Sequence, residues 1–312
     1  MKRRSFLKLC PALSLLSSPA SAASAPSLTL GYNTYGTQAL STVDAIDAIA
    51  KTGFDTLELS LMPGWDTDPK TLTKQKAADL RSRIADSGLR LTAFLEHLRG
   101  ATNPDANPAD DLERLERAID LAHDFSSEHP PLIESALGGK LSWDKTRDLL
   151  LRRLPAWQKL AEENKVVVAI KPHRGAGMTR PEHAIDVINE LGNSPWLRIN
   201  WDYSHYAFRD PPLPLVETIE KSAAHTALVT VKDTVLEPDG RARFRLPGES
   251  GNIDYPLLLK TFHAAGYRGD VQCEVSAQLW KQPGFDPLPA MQTCYTNMAR
   301  AFEEAAIPRP RD

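Results

Sequence analysis

The segment AIKPHRGAG, residues 169–177, sets Lys171, His173 and Arg174 around a proline directly after an apolar run. A lysine that ends a buried strand is costly unless it has a partner or a task. The pattern recurs along the chain, where short apolar stretches close on charge: Glu58, Glu96 with His97, Glu134, Asp202 with His205, Lys232 with Asp233, and Glu274. Carboxylates, imidazoles and an ammonium brought to one place suit general acid–base work and the stabilisation of a developing oxyanion. Lys171, Glu274, His205 and Glu96 are the catalytic candidates. The plain alternative for Lys171 is an ion pair with Asp202 or Glu274. Glu96 and His97 are either a base with its orienter or neighbours that simply face opposite sides of a strand. His173, His97, Trp65, Tyr203, Glu249 and Trp280 are candidates for holding substrate, the aromatics by stacking on a sugar face.

These residues need a scaffold that gathers strand ends. The strand candidates are LTLGYNTYG, DTLELSL, RLTAFLEH, PLIESAL, VVVAIKPH, RINWDYSH, ALVTVKD and VQCEVSA. Between them lie helical patterns such as STVDAIDAIAKTG, PADDLERLERAIDLAHDF and RPEHAIDVINELG, with Ser41 as an N-cap and glycines as stops. Eight strand–helix units in succession predict parallel strands in a closed (β/α)8 TIM barrel, whose chemistry sits at the C-terminal strand ends. An open doubly wound sheet would favour a glycine-rich phosphate turn after an early strand, and none is present. Side chains alternate along a strand. Asn200 and Asp202 therefore share a face, as do Ala169 and Lys171. Gln272, Glu274 and Ser276 form a third such set, with Cys273 turned to the helices.

The chain has 312 residues, 42% hydrophobic and 25% charged, which is ordinary globular composition. Residues 1–25 read as a secretory leader, with a basic start, a short apolar run and small residues at the end. Arg3-Arg4 before SFLK matches the twin-arginine type, so the expected location is the periplasm. The apolar run is too short to span a bilayer, and no stable membrane association is expected after cleavage. Residues 26–312 are expected to be one barrel domain. Without Lys2, Arg3, Arg4 and Lys8 the mature chain has 33 basic against 40 acidic residues, or −7. That charge argues against nucleic acid as a partner. Cys273 and Cys294 allow one disulfide and no disulfide framework.

The order and spacing of LGYNTYG, TGFDTLELS, WDYSH, VKD, LPGESGNIDYPLLLKTF and GYRGDVQCEVS resemble the xylose isomerase-like TIM-barrel superfamily, the sugar phosphate isomerase and epimerase group. The resemblance covers essentially the whole mature chain. It implies one divalent cation (Mn, Mg, Zn or Co) held by a Glu on strand five, an Asp on strand six, a His on strand seven and a Glu on strand eight. Asp202 and Glu274 match these positions. Lys171 stands where the strand-five Glu belongs, and Thr230 where the strand-seven His belongs. His205 matches a histidine that contacts substrate. Two carboxylates alone make a poor divalent site. Either His173 or His205 completes a rearranged site, or the Lys171 ammonium replaces the metal.

The implied function is an exported enzyme that acts on a small carbohydrate or polyol. It would remove a proton next to a carbonyl, giving isomerisation, epimerisation or elimination. A sugar-binding barrel that has lost its metal and its catalysis is the alternative. An apurinic endonuclease, from the same superfamily, is disfavoured by the missing ligands, the acidic charge and the leader. Oligomeric state is not legible in the sequence.

Overall fold

The computed structural model describes residues 28–208 and 211–310. The expected leader, with Arg3 and Arg4, lies outside the described residues. Eight strands close into a barrel: β1 (Thr29–Asn33), β2 (Thr56–Ser60), β3 (Arg90–Leu95), β4 (Leu132–Ala136), β5 (Val168–Lys171), β6 (Leu197–Trp201), β7 (Thr226–Val231) and β10 (Asp270–Cys273). All neighbours pair in parallel, and β1 closes the ring against both β10 and β2. An antiparallel hairpin, β8 (Asp233–Leu236) and β9 (Ala242–Arg245), follows β7 and stands outside the ring. It was not anticipated from the sequence.

The helices are α1 (Thr42–Thr52), α2 (Lys74–Asp86), α3 (Pro108–Phe125), α4 (Trp143–Asn164), α5 (Pro181–Glu190), α6 (Leu215–Ser222), α7 (Tyr255–Ala264), α8 (Ala277–Trp280) and α9 (Pro287–Ala305). Ser41 caps α1 by accepting from the Asp44 amide, and Gly53 ends it at φ 107°, which is unfavourable for a residue with a Cβ. Among the described residues, no helix is long and apolar enough to cross a membrane.

The period-two alternation divides the chain into two interiors. Leu30, Leu57, Ile133, Ile170, Ile199, Val229 and Val271 pack with the helices in one continuous apolar core. Each such side chain contributes roughly 1.5–3 kcal/mol when fully buried. The other face of the strands fills the barrel, and here that filling is polar rather than the usual branched aliphatic. Near the strand starts Gln272 donates to Thr56 Oγ1 at 3.0 Å and Thr92 Oγ1 at 2.9 Å. Gly31 makes room for this amide, because a Cβ there would lie 2.2 Å from Gln272 Oε1. Farther along, Thr230 donates to Asn200 at 2.9 Å. Charged residues follow at the strand ends.

Candidate active site

Consecutive strand ends set acids and ammoniums in alternation. Lys171, the last residue of β5, places Nζ 3.0 Å from Glu134 Oε1 on β4 and 2.8 Å from Glu274 Oε2 just beyond β10. Lys232, one residue past β7, lies 2.7 Å from Glu274 Oε1 and also bonds Asp202 Oδ2. Asp202 accepts through its other oxygen from Ser204 N at 3.2 Å and Ser204 Oγ at 2.5 Å. The His205 Nε2 atom lies 3.3 Å from Asp202 Oδ2. The sequence reading expected Asp202 to hold Lys171 or a metal; instead its direct cation is Lys232. That lysine was noted at its strand end but given no role. The signal was available, because Lys232 lies two residues beyond Thr230 and alternation puts both inside.

Burial and charge act against each other in this row. Burial opposes the charge on Lys171, but Glu134 and Glu274 outweigh it and hold its pKa well above the ordinary lysine value. Burial likewise opposes ionisation of Glu274, yet Lys171 and Lys232 keep it well below the carboxylate range. Asp202 is depressed in the same way, chiefly by Lys232 and then His205. Beneath them Glu58, on β2, is fully buried, and burial with the nearby Glu134 charge pushes its pKa well above normal. Burial drives His205 down to about 4 despite Asp202. Burial also depresses His173 strongly, with His205 and Lys232 adding to the effect. Both imidazoles are therefore neutral near pH 7, and their rings lie 3.9 Å apart between centroids.

The row forms the floor of a cavity of about 180 Å³ lined by Tyr35, His97, Lys171, His173, His205, Lys232 and Glu274, among others. It shares His97, Arg99, Ala136, His173 and Arg174 with an outer cleft of about 700 Å³. Phe244 of β9 lies over the row, its ring centroid 5.5 Å from Lys232 Nζ and 5.4 Å from the His205 ring. The hairpin that carries it is tied down at both ends. Gln278 bonds Phe244 N at 2.9 Å and Ala242 O at 3.2 Å. Asp233 accepts from Gly248 N, Ser250 and Tyr255 OH.

Several expected site residues stand elsewhere. Glu96 accepts from Arg114 on α3 with both oxygens, at 2.8 and 2.7 Å, and does not line the cavity. Burial pushes its pKa up to about 7 against the pull of Arg114, a value suited to a base, but its placement removes it from that role. Strand alternation turns Glu96 to the helices and leaves His97 facing the cavity. Tyr203 packs flat on Trp201 and donates to Leu213 O, because the chain leaves β6 through a single 3-10 turn, Tyr203–His205. Glu249 accepts from Leu246 N within its own loop, at 2.9 Å. Trp65 and Trp280 do not line the cavity either. They flank Tyr35, which does, at centroid distances of 5.5 and 5.3 Å.

The donor set does not fit a divalent cation. Lys171 and Thr230 occupy two of the implied ligand positions, and Thr230 is committed to Asn200. Glu274 gives both oxygens, and Asp202 one, to ammonium groups. Among the described residues no group of three or more His, Cys, Asp and Glu side chains is placed to hold a metal.

A family model described as xylose isomerase-like TIM barrel matches residues 46–303. No curated protein matches the chain. Among solved structures it is similar to a xylose isomerase-like TIM barrel protein from Mycobacterium smegmatis in complex with magnesium, at 17% identity and TM-score 0.68, covering 89% of this chain and 97% of that one. An L-ribulose 3-epimerase aligns at 16% identity and TM-score 0.69, over 89% of this chain and 96% of its own. A 3-keto-D-glucoside 4-epimerase from E. coli aligns at 15% identity and TM-score 0.66, over 88% and 99%. At such identities the likeness speaks for the fold.

Proposed function

Because the chain belongs to the xylose isomerase-like TIM barrel family, we propose that it is a sugar isomerase- or epimerase-like enzyme in which two lysines serve where relatives use a divalent ion. One observation carries the reading: Glu274 sits between the ammonium groups of Lys171 and Lys232 on the floor of a cavity that opens into the outer cleft. A small carbohydrate enters with its carbonyl oxygen toward Lys171. As that ammonium turns from Glu274 to the substrate oxygen, the carboxylate loses a cation and its proton affinity rises. Glu274 then removes the proton from the carbon next to the carbonyl. The C–H electron pair forms the enediolate double bond, and the carbonyl pair moves to oxygen, where Lys171 and neutral His205 stabilise it. Delivery of a proton to the opposite face by a second acid or water gives an epimer, with Glu274 keeping the proton it removed. Return of that proton to the former carbonyl carbon, while the hydroxyl proton of the neighbouring carbon passes to the enediolate oxygen, gives an isomer. Loss of a β substituent with its bonding pair gives elimination.

The test is proton exchange in heavy water. Aldoses, ketoses and keto-sugars incubated with the protein are expected to gain deuterium next to the carbonyl, with or without a chelator. Glu274→Gln is expected to abolish the gain while the fold stays intact by circular dichroism. Sugar binding with no exchange in any substrate would favour the non-catalytic reading, which the tight hold of both lysines on Glu274 also supports. Export by the twin-arginine route belongs to the same proposal. It rests on Arg3 and Arg4 in the sequence.

A further inference from the structure

Arg114 and Arg309, both buried at least in part, meet carboxylates at Glu96 and Asp55, while Arg153 and Arg198 are satisfied by backbone carbonyls and the Asn193 side chain. Arg174 differs. It is half-buried at the junction of the inner cavity and the outer cleft, with its guanidinium 4.8 Å from the Phe244 ring centroid. Burial alone lowers its pKa, and among the described residues no acid is paired with it. Arg99 reaches the same junction, where its Nη2 lies 2.8 Å from His97 Nδ1. Lys140 adds a third positive charge in the outer cleft, where Asp105 is the single acid. In a chain with more acids than bases, this opening carries Arg99, Arg174 and Lys140 against Asp105 among the described residues. Leaving charge partly desolvated without a partner is unfavourable, and an anion from outside would relieve it.

We infer that Arg99 and Arg174 form a subsite for an anionic group on the substrate, a carboxylate, sulfate or phosphate. The sugar is then acidic, with its carbonyl at Lys171 and its anion at the junction. This rests on the sugar reading above and narrows it.

Isothermal titration with matched pairs tests it: hexoses against their uronates, and glucose against its 6-sulfate and 6-phosphate. At least one acid is expected to bind about tenfold or more tightly than its neutral partner, a difference of about 1.4 kcal/mol. The acid that binds best identifies the anion. That preference is expected to fall toward unity in Arg174→Gln and in Arg99→Gln, and to weaken near 1 M salt, where screening reaches about 3 Å. Arg99 is exposed, so its variant stands even if Arg174→Gln disturbs the hairpin. Equal binding of acids and neutral sugars overturns the subsite and leaves the sugar reading standing. Failure of the folded protein to bind either overturns the sugar reading and the subsite together.

Discussion

Glu274 gives one carboxylate oxygen to each of two lysines: Oε2 lies 2.8 Å from Lys171 and Oε1 lies 2.7 Å from Lys232. A carboxylate shared in this way meets an ammonium at each oxygen, where a metal would have to displace one of them. It is also held ionised although buried, so the two ammoniums do for Glu274 what a divalent ion would do electrostatically. The row extends to Glu134 on one side and Asp202 on the other, each buried and each with its own lysine.

Removing one member of the row leaves its partners uncompensated. Lys171→Met is expected to lower stability by about 3–5 kcal/mol, the usual result when one side of a buried pair is lost. Deuterium exchange should disappear with it. The sign of the pH effect follows from the depressed pKa of Glu274 and Asp202. Their contribution is full above the unfolded values, about 4, and is lost as pH falls through the lower folded values. In Lys171→Met the thermal midpoint should fall less steeply below pH 4 than in the wild type. An unchanged midpoint and an unchanged acid arm would show that the pair contributes nothing.

Lys171→Glu alone should not recruit a divalent ion, because Lys232 still lies against Asp202 and Glu274. The combination Lys171→Glu, Thr230→His and Lys232→Ala restores both missing ligand types and removes the remaining ammonium. Manganese binding measured by titration calorimetry should appear in the triple variant and not in Lys171→Glu. Tight manganese binding by the single variant would contradict the role given to Lys232.

Glu96→Gln separates helix anchoring from catalysis. Glu96 faces Arg114 on α3, outside the cavity. The amide keeps one acceptor for Arg114 and removes a charge that burial opposes, since the Glu96 pKa is raised to about 7. Thermal stability should change little near about pH 4, where the carboxyl is protonated folded or unfolded, and should gain on wild type as pH rises toward about 7. Exchange per folded molecule should stay within a few-fold of wild type. Exchange falling as far as in Glu274→Gln would return Glu96 to the chemistry.

The barrel was legible because its signal is repeated. Eight apolar runs, separated by amphipathic stretches with a cap at Ser41 and stops at Gly53 and Gly192, leave few other topologies. Alternation carried part of the site as well. It put Asn200 and Asp202 inside, and it turned Cys273 away from Gln272 and Glu274. It failed where two polar residues are adjacent at a strand end. In Glu96-His97 one residue faces in and the other out, and the sequence does not say which. The bulge between β2 and β3, at Leu57/Glu58, further blurs the phase there. Tyr203 and Phe244 show the other limit. Their orientation is set by a 3-10 turn and by a hairpin pinned through Gln278, and neither leaves a periodic trace.

Export can be tested without reference to the barrel. Changing Arg3 and Arg4 to Lys keeps the charge of the leader and removes the twin-arginine pair. The precursor is expected to remain in the cytoplasm on fractionation. Normal periplasmic accumulation of that variant would remove the twin-arginine assignment and leave the barrel's chemistry untouched.

Glu58 gives the reverse pH dependence. It is fully buried, and burial and then the Glu134 charge raise its pKa well above normal, with a side-chain hydrogen bond to Glu134 acting in the same direction. A raised carboxyl keeps its proton in the folded state while the unfolded chain releases it near pH 4.3. Its contribution is therefore best at low pH and declines as pH rises toward the folded value. Glu58→Gln fixes a neutral group of nearly the same shape and removes that decline. The variant should match wild type near pH 4 and become progressively more stable than wild type between pH 5 and 9, read as the difference in thermal midpoint. The Lys171–Glu134 pair should persist in it, since the neutral amide takes no cation from Glu134. If Glu58→Gln instead loses stability equally at every pH, Glu58 is ionised in the fold. The row would then hold four negative charges against two lysines, and a further cation would be required beside them.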